Sequence, residues 1–71
     1  MEALERMLPQ FLRAQLEQLD RRTRGEIEEL RLREGFPLAV CRGGEEWTHP
    51  AWQRRPLGEE DLYRVLETAG G

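Results

Sequence analysis

Glu28-Glu29-Leu30-Arg31-Leu32-Arg33-Glu34-Gly35-Phe36-Pro37-Leu38-Ala39-Val40-Cys41-Arg42 is the stretch that decides the fold. Leu30 and Leu32 alternate with Arg31 and Arg33, Gly35 and Pro37 interrupt, and Leu38 and Val40 then alternate again. A period of two is the mark of half-buried strands, so the stretch is predicted to be a β-hairpin. Side chains opposite each other in an antiparallel pair share a face, so apolar residues must meet apolar residues. That condition pairs Leu32 with Leu38 and Leu30 with Val40, and it sets Glu28 opposite Arg42. The loop then has an odd number of residues centred on Gly35, where tolerance of positive φ is useful. One face of the hairpin is apolar and needs a cover. The other carries Glu29, Arg31, Arg33, Ala39 and Cys41.

Working outward from the hairpin, Gly43-Gly44 reads as a second tight turn, and residues 45–48 as a short third strand with Trp47 on the apolar side. Upstream, Leu4, Met7 and Leu8 fall on one helical stripe that Pro9 interrupts, because the residue before a proline is pushed away from helical geometry. Pro9 itself suits the first turn of a new helix. Phe11, Leu12, Leu16 and Leu19 then recur with helical spacing among Arg13, Gln15, Glu17 and Gln18, which makes an amphipathic lid for the hairpin. Residues 20–25 place Arg21, Arg22 and Arg24 just past that helix, where its dipole favours positive charge, and read as a cap and connector closed by Gly25.

Downstream, residues 49–56 hold two prolines, Trp52 and Arg54-Arg55, and read as an irregular loop or a broken edge strand. Trp52 is expected in packing and His49 at the surface. Residues 57–62 have the form of a helix entrance, with Gly58 as N-cap, acidic residues in the first turn and Leu57 packing on Leu62 as a staple. Leu62, Val65, Leu66 and Ala69 continue as an apolar stripe with Tyr63 at its edge, and Gly70-Gly71 ends the helix. The expected fold is α+β, with a small antiparallel sheet built on the hairpin and covered on one face by an N-terminal and a C-terminal helix. Its expected core is Leu12, Leu16, Leu30, Leu32, Leu38, Val40, Leu62 and Leu66.

Composition narrows the chemistry. At 71 residues the chain is one domain of a size whose single core is only marginally stable. All 11 basic residues are arginine, and there is no lysine, serine or asparagine. A Walker-type phosphate loop requires its lysine and a serine triad its serine, so neither is available. Cys41 and His49 are too few for a zinc site, which takes about four ligands. The sequence therefore predicts no enzyme, no cofactor and no metal in this chain. The net charge of -3 leaves no overall footprint for nucleic acid. No long apolar run or signal-peptide pattern is present, and a single cysteine fits a reducing compartment, so the expected location is cytoplasmic without direct membrane insertion.

The run Ile27-Glu28-Glu29-Leu30-Arg31-Leu32-Arg33, followed by Gly35, Pro37 and Leu38, resembles the opening signature of the stage III sporulation protein AA family. Leu8-Pro9 with Leu12 and Leu16 ahead of it, and Leu57 through Asp61-Leu62 after it, fall in the same order and spacing as in that family. Phe36 stands where an arginine is common, and Gly58 where a threonine is common. The resemblance implies the amino-terminal domain of a sporulation ATPase similar to the hexameric ATPases of type II secretion and type IV pili. The nucleotide site of such a protein lies in a RecA-like domain outside this match, so ATP and magnesium are expected of the parent protein only. Implied partners are the ATPase domain of the same or a neighbouring subunit and the membrane proteins of a channel between mother cell and forespore.

On this reading residues 1–71 are a non-catalytic packing and assembly domain. Arg31 and Arg33, projecting from one side of a strand about 6.5 to 7 Å apart, are the candidate contacts with nucleotide or with an acidic rim, since arginine makes forked contacts with phosphate and carboxylate. The bland reading, a solvated surface ion pair, ranks ahead of it. Two other classes remain open. A free-standing adaptor could bind an acidic protein or nucleic acid through the arginine-bearing face, and a cysteine enzyme would need Cys41 within reach of His49.

Overall fold

The computed structural model describes residues 5–70. Three strands, β1 (Glu29–Arg31), β2 (Ala39–Arg42) and β3 (Glu45–Trp47), form one antiparallel sheet in the order β1-β2-β3. Ahead of the sheet lie the helices α1 (Gln10–Leu16) and α2 (Arg21–Gly25). A 3-10 turn at Pro50–Trp52 and helix α3 (Glu59–Gly70) follow it. The α+β architecture expected from the hairpin is the one observed.

The register follows the matching of apolar residues. Glu29 pairs with Cys41, Leu30 with Val40 and Arg31 with Ala39. Leu32 and Leu38 stand one step beyond that ladder, at the two ends of a loop centred on Gly35, whose φ is +84°. The tip is clasped by the chain near α3, since Gly35 N–H donates to the Leu57 carbonyl at 2.8 Å and Leu57 N–H to the Phe36 carbonyl at 2.9 Å. At the other end, the Glu28 amide donates to the Cys41 carbonyl at 2.9 Å. The Arg42 guanidinium turns to Glu26, 3.6 Å away, so the expected opposition of Glu28 and Arg42 does not become an ion pair. Gly43 and Gly44, with φ of +58° and +81°, join β2 to β3. Two positive φ values in a two-residue loop are what a twisted hairpin turn requires. Val40 then pairs with Trp47, which puts Leu30, Val40 and Trp47 on one face.

That face carries the core. Leu8, Leu12, Leu16, Leu19, Ile27, Leu38, Val40, Trp52 and Leu57 form one buried cluster. Each of the large side chains among them contributes roughly 1.5 to 3 kcal/mol on burial. Helix α1 delivers Leu12 and Leu16, and its start is set by Pro9, which sits at the N-cap, one position earlier than expected. The Pro9 carbonyl accepts from the Leu12 and Arg13 amides at 3.1 and 3.2 Å. The helix ends at Leu16, and Leu19 reaches the core through a tightened turn in which its amide donates to the Leu16 carbonyl at 3.0 Å. The expected stripe through Leu4 has its first member outside the described residues.

Several expectations are corrected or refined. Residues 20–25 are not a tail to α1: they form α2, whose first turn is capped by the Asp20 carboxylate accepting from the Thr23 amide at 2.7 Å. Residues 49–56 contain a 3-10 turn, opened by His49, whose Nδ1 accepts from the Ala51 amide at 3.0 Å. Leu66 is not core, being 71% exposed. The reason lies in what precedes it, because Trp52 and Leu57 fill the space beneath the sheet and leave α3 on the rim. The helix reaches the core through Leu62 and Val65, both half-buried, and has no fully buried residue. Leu30 and Leu32 are likewise half-buried against the cluster rather than inside it.

Candidate functional site

The polar face of the sheet gathers the hairpin arginines. Ala39 and Cys41, both short, occupy the central strand on that face, between the longer side chains of β1 and β3. Two strand spacings amount to about 9 to 10 Å, a gap that arginine and glutamate bridge only where nothing tall stands between them. Arg33 Nη2 donates to Glu46 Oε2 at 2.7 Å, and Arg31 Nε lies 3.8 Å from Glu46 Oε1. Arg31 also meets Glu29 at 3.4 Å and donates from Nε to Cys41 Sγ at 3.4 Å. The Arg33 guanidinium lies over the Phe36 ring, 5.3 Å from its centroid. The hydrogen bond to Cys41, and then the carboxylates, hold the Arg31 pKa above its ordinary value.

Arg31 and Arg33 are thus brought together, as the strand period requires, but around a carboxylate of their own sheet. Two cations face two carboxylates there, Glu29 and Glu46, so the patch is balanced in charge. That balance counts against an adaptor that captures acidic surfaces through this face. Sequence reading missed Glu46 because it sits two strands from β1. The signal was nonetheless available, since a two-residue turn at Gly43-Gly44 forces Glu46 opposite Cys41.

Cys41 and His49 are not brought together. Cys41 belongs to the polar face beside Arg31, whereas His49 packs against aromatic rings of the other side. Its ring centroid lies 5.8 Å from that of Trp47 and 5.5 Å from that of Trp52. His49 Nδ1 is moreover occupied by the Ala51 amide, and no thiol–imidazole pair forms. Among the described residues no group of three or more His, Cys, Asp or Glu side chains is placed to hold a metal ion. No helix among them is long and apolar enough to cross a membrane.

Compared with protein-family models, with curated proteins and with solved structures, the chain matches none. The candidate site therefore rests on its geometry. A groove of about 320 Å³ runs between α3 and the edge of β1, lined by Met7, Leu8, Leu30, Leu32, Val65 and Ala69, with Glu28 and Glu29 as its ionisable members. Beside it α3 exposes Leu66, and Tyr63 is open one turn earlier.

The position of α3 is fixed at its start. The Asp61 carboxylate accepts from the Gly58 amide at 2.8 Å and from both terminal nitrogens of Arg55 at 3.0 and 3.1 Å. Arg55 in turn covers the Phe11 ring of α1, 4.6 Å from its centroid. The Asp61 carboxyl is held below the ordinary carboxylate range, first by Arg55 and then by the Gly58 N–H. One acidic side chain thereby caps α3 and ties it to α1, while Leu62 and Val65 lean on the core and Leu66 and Tyr63 stay exposed.

Proposed function

We propose that this chain is a non-catalytic packing and assembly domain of a sporulation ATPase of the secretion type, whose parent protein uses ATP and magnesium to energise a channel between mother cell and forespore. The domain works in the cytoplasm of the mother cell, at the membrane through protein partners. Two things support this reading: the resemblance carried by the Glu-Leu-Arg-Leu-Arg strand with Pro37-Leu38 beyond it, and the surface of α3. The second carries the packing role, because a helix with an apolar stripe and no buried residue, exposing Leu66 and Tyr63, is built as though another surface completes it.

The test joins this domain to its ATPase domain. In such a protein Leu66→Asp and Tyr63→Asp should lower ATPase turnover or the yield of hexamer in sedimentation, while the circular dichroism of the isolated domain stays unchanged. Full activity and full assembly in both variants would remove the packing role.

A further inference from the structure

Strand β1 is an outer strand of the sheet, with β2 on one side only. In an antiparallel ladder every second residue of an edge strand turns its N–H and C=O away from its neighbour, and those groups are open to another strand. Among the described residues, no turn, loop or cap hydrogen bond engages the backbone of residues 29–32. The apolar groove lies along this same edge: its lining takes Glu29 from one face of β1, Leu30 and Leu32 from the other, and Val65 and Ala69 from α3 opposite. A strand edge and a helix thus form two walls of one trough.

We infer that this trough binds an extended segment of a partner protein, which adds to β1 as a fourth strand, sets alternate apolar side chains between β1 and α3, and places a lysine or arginine beside Glu28. Addition of a strand draws affinity from main-chain hydrogen bonds and specificity from pockets for alternate side chains. The lining supplies both halves of that selection. Its apolar side chains include Met7, a flexible side chain that adapts to different occupants. Its ionisable members are two carboxylates and no cation; Glu29 is already met by Arg31 at 3.4 Å, so Glu28 is the carboxylate that favours an apolar segment with a basic neighbour over an acidic one. This docking site does not depend on the ATPase reading and would hold in any larger protein.

The probe is a blocked heptapeptide alternating valine and lysine, titrated into the isotope-labelled 71-residue chain and followed by NMR. Shifts are expected at residues 28–32 and 65–69, with slowed exchange of outward amides of β1. A proline at the peptide's centre, which removes a main-chain donor at constant charge, should weaken binding at least tenfold, as should glutamate in place of lysine. Ala69→Arg, at an exposed position of the groove wall, should weaken it similarly while the rest of the spectrum keeps its native dispersion. The proposal is overturned if the proline peptide binds equally well, if the shifts spread over the acidic face around Tyr63 and Arg64, or if the bound peptide is helical. It is equally overturned if binding needs removal of residues 1–4, which would make the chain's own start the occupant.

Discussion

Trp52→Ala is expected to remove about 3 to 5 kcal/mol of folding stability, the usual cost of truncating a fully buried large aromatic. Trp52 is 0% exposed and sits in the cluster with Leu12, Leu16, Leu38, Val40 and Leu57. Its indole N–H donates to Gln18 Oε1 at 2.8 Å, tying the turn after β3 to the end of α1. That bond is the smaller part of the effect, because Gln18 is exposed and its oxygen returns to water, leaving about 0.5 to 1 kcal/mol of net loss. At the usual 0.05 to 0.15 kcal/mol per residue, a chain of this length has about 4 to 11 kcal/mol in all. The alanine variant should therefore be close to unfolding, and Trp52→Phe, which keeps one ring, should lose about 1 to 3 kcal/mol. Urea denaturation followed by the fluorescence of Trp47 measures both, with the slope of the transition as a check on two-state behaviour. A loss below about 1 kcal/mol for Trp52→Ala at unchanged slope would refute the placement of this ring at the centre of the core.

Leu38→Ala should cost about 2 to 5 kcal/mol and Leu32→Ala clearly less, since Leu38 is fully buried and Leu32 half-buried; equal midpoint shifts in urea would contradict this ranking. Arg31→Gln with Arg33→Gln should leave the domain folded by circular dichroism, and in the proposed parent ATPase should lower turnover or hexamer yield if either arginine leaves Glu46 for a nucleotide or an acidic rim. Unchanged turnover and assembly would confine both to their own sheet. Asp61 has a folded pKa below its unfolded one, so its contribution is complete above the ordinary aspartate pKa of about 4 and is lost as pH falls through the depressed value. Asp61→Asn should therefore destabilise by about 1 kcal/mol at neutral pH and flatten the acid limb of the stability profile; an unaltered limb would exclude that role.

The hairpin was legible because register and period are local properties: Leu30, Val40 and Trp47 had to share a face once two glycines fixed the second turn. Leu12 and Leu16 were legible for the same reason, as a stripe of helical spacing under a proline start. Leu66 was not. Its spacing is as good as that of Leu62, but periodicity says which side of a helix is apolar and not how far the core extends beneath it. Trp52 and Leu57, in a segment without periodicity, took that space. The same limit applies to the candidate site: Arg31 and Arg33 could be placed on one side of a strand, whereas their partner Glu46 depended on counting through an intervening strand. Helix α2 was missed because the arginines drew attention to charge, when Asp20 followed by Thr23 was the capping signal.

The two reciprocal bonds between the hairpin tip and Leu57 also bear on the order in which the molecule forms. Residues 42–45 close a two-residue turn, whereas Phe36 and Leu57 must meet across some twenty residues that have few states in common until the core has gathered. The β2–β3 hairpin can therefore form early and locally, and the clasp late. In the native molecule the same clasp is where a partial opening would start, releasing the tip and the root of α3 together while Leu12, Leu16 and Val40 stay packed. The part of the sequence that organises the fold in space would then be completed, at its tip, among the last in time.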